Sequence, residues 1–177
     1  MSVCDANSTR RTRSRSPTRV STVLPCSRSC DWNWKLGGIA DFDANGKDDL
    51  LWRHQTNGSN AVWKMNGATI TASAWITALT DVQWKLAAVR DFDGDGKSDL
   101  LWRHATSGKN AIWFLNGTTV TSTGLTTTLA DPNWFLEGAG DFDGDGKADV
   151  LWRHAGTQAK SLWTMNGATP SATTQIY

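Results

Sequence analysis

Trp34, Trp84 and Trp134 stand fifty residues apart, and so do Trp52, Trp102 and Trp152, and Trp63, Trp113 and Trp163. Three aspartate-rich stretches open at Asp41, Asp91 and Asp141 with the same step, and the only histidines, His54, His104 and His154, keep it too. A constant period of this length, with no drift, marks a stack of supersecondary units. Such a unit cannot bury its apolar face alone and must be covered by its neighbours. The repeats divide the chain into 31–80, 81–130 and 131–177, the last one cut short. Tyr177 aligns with Thr127 and Thr77, so the chain is expected to stop inside its last strand region.

The net charge of +1 averages two unlike parts. Residues 1–30 carry six Arg against one acid, Asp5, and hold all three cysteines, Cys4, Cys26 and Cys30. Residues 31–177 carry a net charge of −4 and all eleven Trp. The Arg-, Ser- and Thr-rich leader has too few large apolar side chains to offset chain entropy, so it is expected to be disordered. Its charge allows a nucleic-acid tail, but the plainer leader is preferred. No signal peptide is visible, since its longest apolar run is Val23-Leu24. No stretch is expected to span a membrane. Cys26-x-x-x-Cys30 has no downstream His or Cys pair, which disfavours zinc.

Within a repeat the pattern is β. In the second copy, Trp84 to Val89 reads as a strand. Leu100 to His104 alternates, with Leu100, Trp102 and His104 on one face and Leu101 and Arg103 on the other. After a turn at Thr106-Ser107-Gly108-Lys109, a third strand spans Ala111 to Leu115. Asn116-Gly117 then reads as a hairpin turn, with both residues tolerant of positive φ, before a Thr-rich strand from Thr118 to about Thr123. The fold class is therefore all-β: three tandem four-stranded antiparallel blades of a β-propeller, partial or completed by oligomerisation.

The loops carry the chemistry. They read Asp41-x-Asp43-x-Asn45-Gly46-Lys47-x-Asp49, Asp91-x-Asp93-x-Asp95-Gly96-Lys97-x-Asp99 and Asp141-x-Asp143-x-Asp145-Gly146-Lys147-x-Asp149. Side-chain oxygens at positions 1, 3, 5 and 9, with the main-chain carbonyl of the lysine at position 7, can surround one hard cation. Calcium takes about 6–8 oxygens with flexible geometry, whereas zinc prefers N or S and magnesium keeps its water. An EF-hand is excluded, because it needs an acid at position 12 and flanking helices. Position 12 is Trp52, Trp102 or Trp152, and the flanks are β. The first loop is expected to bind most weakly, since Asn45 offers a neutral oxygen where Asp95 and Asp145 are charged. Asp48, at position 8, points away from a ligand at position 9.

Asp-Phe-Asp-Gly-Asp-Gly-Lys-x-Asp-Leu-Leu-Trp-Arg, repeated with Trp and Asn-Gly signals over residues 31–177, resembles the FG-GAP/VCBS repeat family. That resemblance implies calcium-braced β-propeller blades like those of integrin α-subunits, and an extracellular or cell-surface setting. It maps the calcium ligands onto the loop residues named above. The family's Phe-Gly/Gly-Ala-Pro signature is loosely present as Leu36-Gly37-Gly38 and Leu136-Glu137-Gly138-Ala139-Gly140; in the second copy Ala87, Ala88 and Arg90 replace the small residues.

The expected role is a carbohydrate- or glycoprotein-binding adhesion module, lectin-like, because Trp faces stack on sugar rings. The candidate contacts are Trp52, Arg53 and His54, Trp102, Arg103 and His104, and Trp152, Arg153 and His154. The competing reading makes these residues core between blades, in a structural repeat that spaces or assembles larger surface proteins. An enzyme is not expected: the carboxylates are committed at metal-ligand spacing, and no nucleophile elbow, zinc signature or phosphate loop is present. Three blades are too few for the usual closed ring of about 4–8. Two chains joined into a six-bladed ring, or further repeats in a longer protein, would complete it.

Overall fold

The computed structural model describes residues 31–177, so the leader and its cysteines lie outside the described residues. Twelve strands form three separate four-stranded antiparallel meanders. The first sheet comprises β1 (Trp34–Ala40), β2 (Asp49–His54), β3 (Asn60–Asn66) and β4 (Thr69–Ile76). The second comprises β5 (Trp84–Arg90), β6 (Asp99–His104), β7 (Asn110–Asn116) and β8 (Thr119–Thr126). The third comprises β9 (Trp134–Gly140), β10 (Asp149–His154), β11 (Lys160–Asn166) and β12 (Thr169–Ile176). There is no helix among the described residues, and hence none long and apolar enough to cross a membrane. No sheet closes on itself; this is the architecture of three propeller blades, an open array.

Two expectations need correction. The last strand is complete, since β12 is eight residues long like β4 and β8. The hairpin turn is also displaced by one residue. Asn116 pairs with Thr119, so the central residues are Gly117 and Thr118. Gly117 has φ +65°, while Thr118 is not among the residues with positive φ. This is the Gly-first pattern of a II′ turn, which fits the right-handed strand twist without needing positive φ at the second place.

β5 lies against β1 on one side and β9 on the other, so the first strands form the inner edge of the array. The core sits between sheets rather than within them. One cluster joins Phe42, Leu51 and Val62 to Val89, Leu100 and Trp102. A second joins Phe92, Leu101 and Ile112 to Val150, Trp152 and Met165. Because both faces of the middle sheet are covered, β6 is buried at four consecutive positions, Asp99 to Trp102. Its sequence alternation therefore does not separate an inside from an outside.

Segments that lead from one sheet to the next are held by glycines. The Leu79 N–H donates to the Gly58 carbonyl and the Leu129 N–H to that of Gly108, both at 2.9 Å. Gly58 and Gly108 have φ +71° and +66°, and a Cβ on either would collide with the Leu79 or Leu129 carbonyl. In the third sheet Gln158 takes this conformation, with φ +60°.

Candidate metal centres

Each aspartate loop connects the first two strands of a sheet, and its ninth residue is the first residue of the second strand. That aspartate is fully buried in all three copies. Asp99 Oδ2 accepts the Phe92 N–H at 2.9 Å and Oδ1 accepts the Leu115 N–H at 2.8 Å. Asp49 does the same with Phe42 and Met65, and Asp149 with Phe142 and Met165. The Leu115 and Met65 donors lie where the strand register shifts, so the carboxylate satisfies an N–H group at a bulge.

The first aspartate winds the loop around itself. Asp91 accepts the Gly94 and Gly96 N–H groups, both at 2.7 Å, and Asp141 accepts those of Gly144 and Gly146. Asp41 accepts Asp43, Asn45 and Gly46. The fourth position needs a left-handed backbone: Gly94 and Gly144 have φ +82° and +80°, and Ala44 has φ +58°.

These bonds gather three carboxylates per loop. Asp41, Asp43 and Asp49 each offer an oxygen, all within 4.8 Å of one another; Asp91, Asp93 and Asp99, and Asp141, Asp143 and Asp149, repeat the group. Crowded, partly buried anions disfavour their charged forms. Burial, reinforced by the charges of Asp93 and Asp91, pushes Asp99 up to about 7 against the bonds from Leu115 and Phe92. Asp93 is raised by burial, then by Asp95 and Asp91. Burial also acts to raise Asp41, but the N–H donors led by Gly46 and Asn45 outweigh it and leave its pKa lowered.

An oxygen-only donor set with surplus negative charge fits a hard cation. Asp43 supplies a sharper observation: its Oδ2 pairs with Lys64 Nζ at 2.9 Å, while its Oδ1 is buried with no partner. A buried carboxylate oxygen without a donor is costly unless a cation or water meets it.

The fifth position stands apart. Asn45 and Asp95 accept the N–H of Lys47 and Lys97, and Asp145 that of Lys147. Lys97 Nζ lies 3.2 Å and Lys147 Nζ 3.8 Å from the adjacent carboxylate. Neither Asp95 nor Asp145 belongs to its loop's three-carboxylate group.

A family model for FG-GAP-like repeats matches residues 41–102 and again 91–152. The chain belongs to the FG-GAP-like repeat family. Each match runs from the first aspartate of one loop to the Trp in the strand after the next, and together they span more than half the chain. No curated protein matches it.

In these FG-GAP-like repeats Arg53 and Arg103 link neighbouring blades, whereas Arg153 and the histidines bond within their own. Trp102 and Trp152 are fully buried and Trp52 is half-buried. Trp102 and Trp152 therefore offer no face to a sugar, which corrects that expectation for them. Their rings are covered by arginines of the preceding blade: Arg53 lies over Trp102 at 4.7 Å and Arg103 over Trp152 at 5.2 Å. Arg53 also donates to the Gly58, Leu79 and Trp84 carbonyls and to Asn60 Oδ1. Arg153 turns back on its own blade, over Phe135 and onto Glu137 at 2.6 Å.

The histidines are likewise occupied. His54 Nε2 lies 2.7 Å from Asp31, His104 3.2 Å from Asp81, and His154 2.8 Å from Asp131. Each Nδ1 accepts a main-chain N–H in the following turn, from Asn57, Ser107 or Thr157. The proton therefore sits on Nε2 and points at the carboxylate. Each histidine also meets the edge of the Trp that opens its blade. The Asp–His latch was not anticipated, although Asp31, Asp81 and Asp131 recur at the fifty-residue step.

A shallow cavity of about 240 Å³ opens on the second blade. Half-buried Trp84 and Trp113 line it with Thr123, exposed Leu125 and buried Trp102.

Proposed function

We propose that this protein is a calcium-binding repeat module that presents a carbohydrate- or glycoprotein-binding surface outside the cell, without catalytic activity of its own. The calcium assignment is carried by the three in-register carboxylate groups, and the bare, buried Oδ1 of Asp43 supports it. Asp41, Asp43 and Asp49 and their counterparts would hold the ion, with Asn45, Asp95, Asp145 and the carbonyls of Lys47, Lys97 and Lys147 as further donors. The ion would supply positive charge that relieves carboxylate repulsion and stiffens the first hairpin of each blade. Affinity in the range of extracellular modules, roughly 10⁻⁴–10⁻³ M, is expected. Calcium titration by calorimetry, beside melting curves in calcium and in chelator, tests it. An unchanged curve across millimolar calcium would remove the assignment.

The ligand-binding part rests on the second-blade cavity, whose lining brings half-buried Trp84 and Trp113 together with the Thr123 hydroxyl. A glycan array in calcium should give hits that Trp113→Ala loses. The burial of Trp102 and Trp152 favours a second reading, a scaffold repeat that spaces larger surface proteins. A calcium-loaded sample with no hit on any glycan would select the scaffold.

A further inference from the structure

The middle sheet is covered on both flanks, and the residues that cover it recur at the fifty-residue step. Phe42 and Phe92, each second in its loop, are fully buried against the next sheet. Phe142, at the same place in the third loop, is 55 % exposed. The first sheet shows the complementary lack. Trp52 and Met65 are half-buried, whereas Trp102 and Leu115, their counterparts beneath Phe42, are buried. Leu36 and Ile39 are 48 % and 51 % exposed, whereas Val89, the counterpart of Ile39, is buried.

Three further relationships make the two bare faces complementary to each other. A Cβ on Gly38 would run into the Val89 side chain of the next sheet, while Gly138, its counterpart in the third sheet, has nothing within 4 Å. An Ile39 side chain fits that open place as Val89 fits over Gly38. The Ser98 N–H donates to the Asp41 carbonyl at 3.1 Å, and the Ala148 N–H to that of Asp91 at 2.7 Å. By the same step, the Asp141 carbonyl is the acceptor at one end of the array and the Asp48 N–H the donor at the other. Lastly, Arg53 and Arg103 each cover the next sheet's Trp, and Arg153 and Trp52 are the pair still to meet.

We propose that the third sheet of one copy docks on the first sheet of a second copy, repeating the seam that already occurs twice within the chain. In the pair, Phe142 enters beside Trp52 and Met65, Ile39 covers Gly138, and Arg153 exchanges Phe135 for Trp52. A head-to-tail contact either closes or propagates. Two copies use each face once and make a ring of six sheets, inside the range of about 4–8 found for closed propellers. The seam does not rest on what the second-blade cavity binds.

The test is native mass spectrometry and sedimentation velocity on the full chain at micromolar concentrations. The wild type should be a dimer. Phe142→Asp and Ile39→Asp should each weaken self-association by roughly thirtyfold or more, since each puts a charge at the centre of the seam. Both positions are exposed in the single chain, so circular dichroism should show both variants folded. Phe142→Asp keeps an intact first-sheet face and Ile39→Asp an intact third-sheet face. Mixing the two should therefore yield a dimer joined by one seam. A wild type that stays monomeric at every concentration, or a Phe142→Asp variant that dimerises like the wild type, would overturn the proposal. So would a mixture that stays monomeric, and a ladder of growing oligomers would refute closure by two.

Discussion

Arg103 lies over the ring of Trp152, 5.2 Å from its centroid, and its guanidinium also donates to the carbonyls of Gly108 and Leu129. One side chain thus closes its own turn, holds the connecting segment and covers the next blade. Replacing it with Ala should destabilise the protein by about 1–3 kcal/mol, because the part-buried Gly108 and Leu129 carbonyls each lose a donor and the ring loses its cation. Arg103→Lys should recover little, since an ammonium cannot reproduce the planar fork. Urea denaturation of the two variants checks both.

Asp99 should matter without any cation. Asp99→Ala leaves the Phe92 and Leu115 N–H groups buried and unpaired, at a cost of about 2–5 kcal/mol. Measured in chelator, that loss separates the carboxylate's structural part from any part in holding a cation. A variant as stable as the wild type in chelator would contradict the hydrogen-bond assignment.

The first loop should be the weakest calcium site, for two reasons that act together. Asn45 brings a neutral oxygen, and Ala44 holds φ +58° where Gly94 and Gly144 stand in the other loops. Ala44→Gly should stabilise the protein by about 1 kcal/mol by removing Cβ strain. It should also tighten the first site relative to the other two in calorimetry. If loop-knockout variants ranked the first site tightest, the charge reasoning would fail.

Gly108 to Ala should cost more than an ordinary surface change, about 1–3 kcal/mol, since the new methyl would meet the Leu129 carbonyl in a left-handed backbone. Gln158 already tolerates that conformation, so Gln158→Ala should lose only its exposed side-chain bonds with Arg153 and the Ala155 carbonyl, about 1 kcal/mol or less. Paired thermal melts give the contrast directly.

Acid should loosen the Asp–His latches. Asp131 is held below its ordinary pKa, first by the Asn133 N–H and then by His154; Asp81 is lowered by the Gln83 N–H and His104, and Asp31 by the Asn33 N–H and His54. A folded pKa below the unfolded value stabilises above the unfolded pKa, and that stability is lost as pH falls through the folded one. These aspartates should therefore contribute to stability above about pH 4 and lose it in stronger acid. Asp131→Asn should make the acid limb of the stability curve shallower.

The period of the tryptophans and the aspartate spacing make the three sheets and the carboxylate groups legible in the sequence alone. What stayed hidden follows from packing on both faces. Alternation in Leu100 to His104 predicts two faces, but neighbouring sheets cover both, so pattern alone does not say that Trp102 is sealed. The roles of Arg53 and Arg103 depend on carbonyls about 26 residues away, at Leu79 and Leu129, which no local motif names. The Asp31–His54 latch did have a signal: an acid three residues before each opening Trp, in register with the histidines.

The main-chain oxygen of Asp41 belongs to one sheet and its donor, Ser98, to the next; Asp91 and Ala148 repeat the link. An ion held as proposed would tighten the loop and so also fix the acceptor that its neighbour grips. Binding at one loop and order at the adjoining junction are then linked equilibria, and each must favour the other by the same factor. Successive ions would bind with positive cooperativity, and chelation would loosen the array from its junctions before any single sheet came apart.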